Sequence, residues 1–73
     1  MENQDIAQFI KSKRKQNGLT QVTLADKAGV GLRFVRELER GKQSLQMHKV
    51  NQVLFLFGCE LGPVSINREK NNQ

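Results

Sequence analysis

Between Leu19 and Lys42 the chain reads LTQVTLADKAGVGLRFVRELERGK, two short helical periods cut apart by glycine. Leu24, Ala25 and Ala28 recur on one face of the first period, about Gln21 to Ala28, and Val35 and Leu38 on one face of the second, about Gly31 to Arg40. Thr20 is placed to cap the first of these helices. Thr23 stands where a capping box would have Glu or Gln, which predicts a weaker cap. Gly29 permits the positive φ of a sharp turn, Val30 seals that turn, and Gly41 ends the second helix. The small alanines let the two helices approach closely.

The flanking segments continue the helical pattern. Ile6, Phe9 and Ile10 share a face of a first helix, about Asp5 to Asn17. Asp5 near its start and Lys11, Lys13, Arg14 and Lys15 toward its end suit the helix dipole, and Gly18 stops it. A fourth helix, about Gln46 to Phe57, carries the stripe Val50, Val53, Leu54 and Phe57. Phe55 and Leu56 fall outside that stripe, which leaves more apolar surface than one side buries. After Gly58, Val64 and Ile66 alternate around Ser65 and predict a short extended segment. Pro63 lacks an N–H, so this is no central strand; one strand of a two-stranded pairing is the expectation.

A chain of 73 residues is one small domain that buries only about 60% of its unfolded surface. Such a domain needs a disulfide, a metal or a partner chain. One cysteine, Cys59, allows no internal disulfide, and His48 with Cys59 makes no metal cluster. A homodimer is the remaining route, and Phe55, Leu56, Leu61, Val64 and Ile66 are its candidate interface, the alternative being packing within one domain. Cys59 reads as a small apolar filler and His48 as solvated. The absence of a disulfide framework fits a reducing cytosol, so the expected location is cytoplasmic. No apolar run approaches a membrane span, and MENQD does not read as a signal peptide.

The charge balance is +5, from 12 basic and 7 acidic residues. That points either to a polyanionic partner or simply to solubility. The second short helix favours the partner. Arg33, Arg36, Glu37 and Arg40 point away from its apolar face, the layout of a helix-turn-helix whose second helix enters the DNA major groove. Arginine presents a fork matched to guanine O6 and N7, and glutamate accepts from cytosine N4 or holds an arginine in place. Leu32 or Phe34 is placed to touch a thymine methyl, though packing is the better reading of Phe34. Arg33 and Glu37 also fit a solvated i, i+4 pair. Arg36 and Arg40 repel each other at the same spacing, which a nearby polyanion explains.

Leu19, Gln21, Leu24, Ala25, Gly29, Val35, Leu38, Glu39 and Gly41, with KSKR at Lys11 to Arg14 and LFG at Leu56 to Gly58, resemble the Xre/Cro-type helix-turn-helix family of the lambdoid phage repressors. The phrase KVNQVLFLFGCELGPV is similar to the HipB-like antitoxin branch. The resemblance implies a mainly α fold, a lambda-repressor-like DNA-binding domain of four to five helices over residues 1–66. It also implies a short C-terminal β-strand that pairs across a dimer. By composition, NREKNNQ at 67–73 is expected to be a polar, mobile tail. The resemblance further implies base reading by Leu32, Arg33, Arg36 and Glu37 and phosphate contacts from Thr20 and Gln21. The basic and polar residues Arg40, Lys42 and Ser44, with Lys11 or Arg14 of the first helix, are the other expected phosphate contacts. Gln21 matches a position that both touches phosphate and braces the reading helix. Arg14 and Glu39 match a structural ion pair. Leucine and arginines where relatives often have Gln, Ser or Thr mean that no known operator transfers.

The expected function is a sequence-specific repressor of double-stranded DNA with a palindromic operator, in its finer form an antitoxin that autoregulates its operon and binds a HipA-like kinase toxin. The alternative is a protein-interaction module on the same scaffold, with only nonspecific DNA binding. No Ser/His/Asp set and no phosphate-cradling glycine loop is present, so neither an enzyme nor a cofactor is expected.

Overall fold

The computed structural model describes residues 5–66, which form four helices: α1 (Ile6–Gln16), α2 (Gln21–Ala28), α3 (Leu32–Arg40) and α4 (Met47–Phe55). Local chemistry sets the ends of each. The Asp5 carboxylate accepts from the Ala7 N–H at 3.0 Å and caps α1. Thr20 Oγ1 accepts from the Thr23 N–H at 3.0 Å and caps α2. The hydroxyls of Thr20 and Thr23 lie 2.9 Å apart, so Thr23 braces the cap through its own side chain where a capping box would use a longer acceptor. Gly29, at φ 74°, ends α2 in the left-handed region, and the N–H groups of Gly29 and Val30 both return to the Ala25 carbonyl. α3 starts without a side-chain cap.

Ile10 of α1, Leu24 of α2, Val35 and Leu38 of α3 and Val53 of α4 are fully buried, and Ala25, Val50 and Leu54 complete one core. Burying each of the large side chains contributes about 1.5–3 kcal/mol. α3 packs on α1 and α2, and α4 on α2. Gln52 locks the last contact: its Nε2 donates to the carbonyls of Ala28 at 3.1 Å and Gly29 at 3.4 Å. It thus satisfies carbonyls that the end of α2 leaves open.

Four differences from the sequence expectations have physical causes. α1 is a residue shorter at each end than expected, because Asp5 and Asn17 are its caps. α4 stops at Phe55 because the next N–H groups, Leu56 to Val53, Phe57 to Leu54 and Gly58 to Phe55, bond three residues back and tighten the last turn. No fifth helix and no β-strand occur among the described residues. The segment after Gly58 is irregular, anchored where the Leu61 N–H donates to Asn51 Oδ1 at 2.7 Å. A strand needs a neighbouring ladder, and within one chain Val64 and Ile66 have none. Finally, Leu32 is half-buried and packs on the core instead of facing outward, since it lies three residues before Val35 on the buried side of α3. The expected tail at 67–73 lies outside the described residues.

Candidate nucleic-acid interface

The pose of α3 is fixed from below by a polar cluster. Glu39 is buried although charged, with its side chain 2% exposed. Arg14 of α1 meets it with two prongs, Nε to Oε2 at 2.7 Å and Nη2 to Oε1 at 3.1 Å. The remaining Arg14 nitrogen, Nη1, donates to the Leu19 carbonyl at 3.0 Å. Gln21, opening α2, donates from Nε2 to Glu39 Oε1 at 3.1 Å. One carboxylate on α3 therefore ties together α1, the loop before α2, and α2. Burial pushes the Glu39 carboxyl up, but hydrogen bonds from Arg14 and Gln21 and the charges of Arg14 and Lys11 outweigh it and hold the group below the usual carboxylate range.

Above this cluster α3 presents its polar side. Arg33, Arg36 and Arg40 are exposed, while Val35, Leu38 and Glu39 are buried on the other side. Lys11, Arg36 and Arg40 line a cleft of about 230 Å³ together with Gln21 and Glu39. None of those three cations makes an ion pair with a described residue. Since Arg14 already neutralises Glu39, the cleft offers net positive charge to an oxyanion such as a phosphate. Arg36 and Arg40 sit one turn apart on α3, and both are exposed.

Glu37 is engaged within the chain. Its carboxylate accepts from Arg33 Nε at 3.3 Å and from Lys42 Nζ at 3.4 Å. The i, i+4 pairing weighed from sequence is thus present in the free protein. Thr20, Lys42 and Ser44 are exposed around α3, and Gln21 is half-buried with its amide nitrogen committed to Glu39. Phe34 is half-buried against the core, and His48 is exposed. Phe55, Leu56, Leu61, Val64 and Ile66 are all exposed, from 37% at Leu61 to 67% at Val64. Sequence reasoning did not find the roles of Gln52 and Asn51. Each acts on backbone at least ten residues away, and no local pattern signals that.

A short cap-and-turn helix followed across a glycine by an exposed arginine-bearing helix defines the helix-turn-helix class of protein. The chain belongs to the helix-turn-helix family, whose pattern it matches over residues 10–63. It is also 47% identical over 57 residues, 78% of its own length and 75% of the relative's, to y4mF, an uncharacterised HTH-type transcriptional regulator of Sinorhizobium fredii. No helix among the described residues is long and apolar enough to cross a membrane, and none of them form a cluster that would hold a metal ion.

Proposed function

We propose that this protein is a sequence-specific DNA-binding transcriptional repressor that inserts α3 into the major groove. The observation that carries this reading is Arg36: exposed, unpaired among the described residues, and set on a helix whose opposite side is pinned to α1 and α2 through Glu39. An arginine fork carried on a firmly positioned helix suits guanine recognition. The name of the rhizobial relative, a transcriptional regulator, supports the same reading. Arg33 and Arg36 address bases, and Thr20, Gln21, Arg40, Lys42 and Ser44 address phosphate. Two copies reading half-sites one helical turn apart require a palindromic operator and a homodimer, for which Phe55, Leu56, Leu61, Val64 and Ile66 supply exposed apolar surface.

In its finer form the protein is an antitoxin that represses its own operon and docks a HipA-like kinase. The support is the resemblance of the segment from Lys49 to Val64. Fluorescence anisotropy of the protein on its own upstream DNA and on a shuffled copy tests the main reading at physiological salt. A preference of roughly a thousandfold or more is expected of a specific reader; equal weak binding to both overturns it. Co-purification with the product of a kinase-like gene next to its own tests the finer form, and failure of the two to associate removes it.

A further inference from the structure

The exposed apolar residues around Phe55 are assigned to the proposed dimer, and the cationic cleft lined by Lys11, Gln21, Arg36 and Arg40 belongs to the reading face already described. What that description does not use is the carboxylate of Glu37, an anion on the side of α3 turned toward a polyanion. Its surroundings are specific. Gly41, at φ 91°, closes α3 in the left-handed region, and the Lys42 N–H returns to the Glu37 carbonyl at 3.1 Å. That turn folds Lys42 back along the helix, so its ammonium reaches Glu37 Oε1 at 3.4 Å. From the preceding turn, Arg33 Nε reaches Oε2 of the same carboxylate at 3.3 Å. Arg33 is otherwise 90% exposed and Lys42 46%, so without Glu37 both are long, free cations.

We propose that Glu37 is a positioning residue that holds Arg33 and Lys42 and suppresses nonspecific DNA binding, rather than a reader of a base. This inference rests on the DNA-reading function proposed above. The reason is electrostatic. Nonspecific affinity grows with each phosphate a free cation neutralises, and it does so on any sequence. A carboxylate shared by two cations cancels one charge on the reading face and restricts both partners. A nonspecific phosphate must then compete with Glu37 for them. A correct site, where α3 seats fully, still receives Arg33 in a prepared orientation. Arg36 and Arg40, which have no such partner among the described residues, carry the uncompensated charge.

The variant Glu37→Gln keeps the size of the side chain and removes its charge. The expected result is severalfold tighter binding to shuffled DNA and a salt dependence steeper by about 1 to 2 in log–log slope. The ratio of operator to shuffled affinity falls. Glu37→Asp, which keeps the charge, restores part of the discrimination. If Glu37→Gln instead loses operator affinity while shuffled binding and slope stay unchanged, Glu37 is a base reader and the proposal is overturned. A DNA-free measurement separates this failure from failure of the DNA-binding reading. Titration of the Glu37 carboxyl by NMR is expected to move upward in Lys42→Gln; no movement means that the latch does not form, whatever the protein binds. Wild-type protein with no salt-dependent affinity for any DNA overturns both readings, even with the latch intact.

Discussion

Arg14 and Glu39 lie 25 positions apart in sequence and meet at 2.7 Å. Arg14 is 12% exposed at its side chain and Glu39 2%, so truncating either strands the other away from water. Arg14→Met is expected to cost about 3 kcal/mol by urea unfolding, the lower end for a broken buried pair. The double variant Arg14→Met, Glu39→Leu is expected to be more stable than the single, because it leaves no unpaired charge. A double variant as unstable as the sum of the two singles contradicts this account. The same carboxyl sets a pH dependence. Glu39 releases its proton more readily folded than unfolded, so its stabilising contribution is complete above the ordinary glutamate value of about 4.3 and is lost as pH falls below it through the folded value. Glu39→Gln is expected to flatten the decline of the urea midpoint in that acid range; an unchanged decline contradicts the assignment. This pair was legible in the sequence only through the family resemblance, since nothing local marks it. The Gln52 bridge to Ala28 and Gly29 was not legible at all, because a glutamine beside an apolar stripe looks like any solvated residue.

At the level of elements, the glycines and threonines told most. Thr20 and Gly29 bound α2 where the pattern placed them, with the same limits from Gln21 to Ala28. Gly29 is also where the turn is most sensitive. Its φ of 74° is unfavourable for any side chain, while an added Cβ would meet only Gln52 Nε2, at an ordinary 3.6 Å. Gly29→Ala therefore acts through backbone conformation and is expected to cost about 1–2 kcal/mol. For a domain of this size that lowers the melting temperature by roughly 4–8 °C per kcal/mol. A melt unchanged within a degree contradicts the role given to the turn. Leu32 and the segment around Val64 show the opposite limit. The outward side of α3 and the pairing of a strand both depend on neighbours in space, which periodicity within one short segment does not specify.

For the whole molecule, one small core joins four helices and leaves Phe55, Leu56, Val64 and Ile66 in solvent. The second copy proposed above would cover this surface and offset the limited burial available to 73 residues. Light scattering at micromolar concentration is expected to give about twice the 8.3 kDa chain mass. A monomer that also binds DNA as a monomer contradicts the dimer. The net charge of +5 was visible in composition, but composition does not say where it acts. The structure divides the cations of α3 between Arg33, held by Glu37, and Arg36 and Arg40, open to the cleft with Lys11. The proposed reading of sequence by the outward side of α3 depends most directly on Arg36. The decisive measurement is the affinity of Arg36→Ala and of the wild type for operator and for shuffled DNA at one salt concentration. A tenfold to hundredfold loss on operator, about 1–3 kcal/mol, with a much smaller loss on shuffled DNA is the expected result. An equal loss on both would show that Arg36 only holds the backbone and that α3 does not read bases through it.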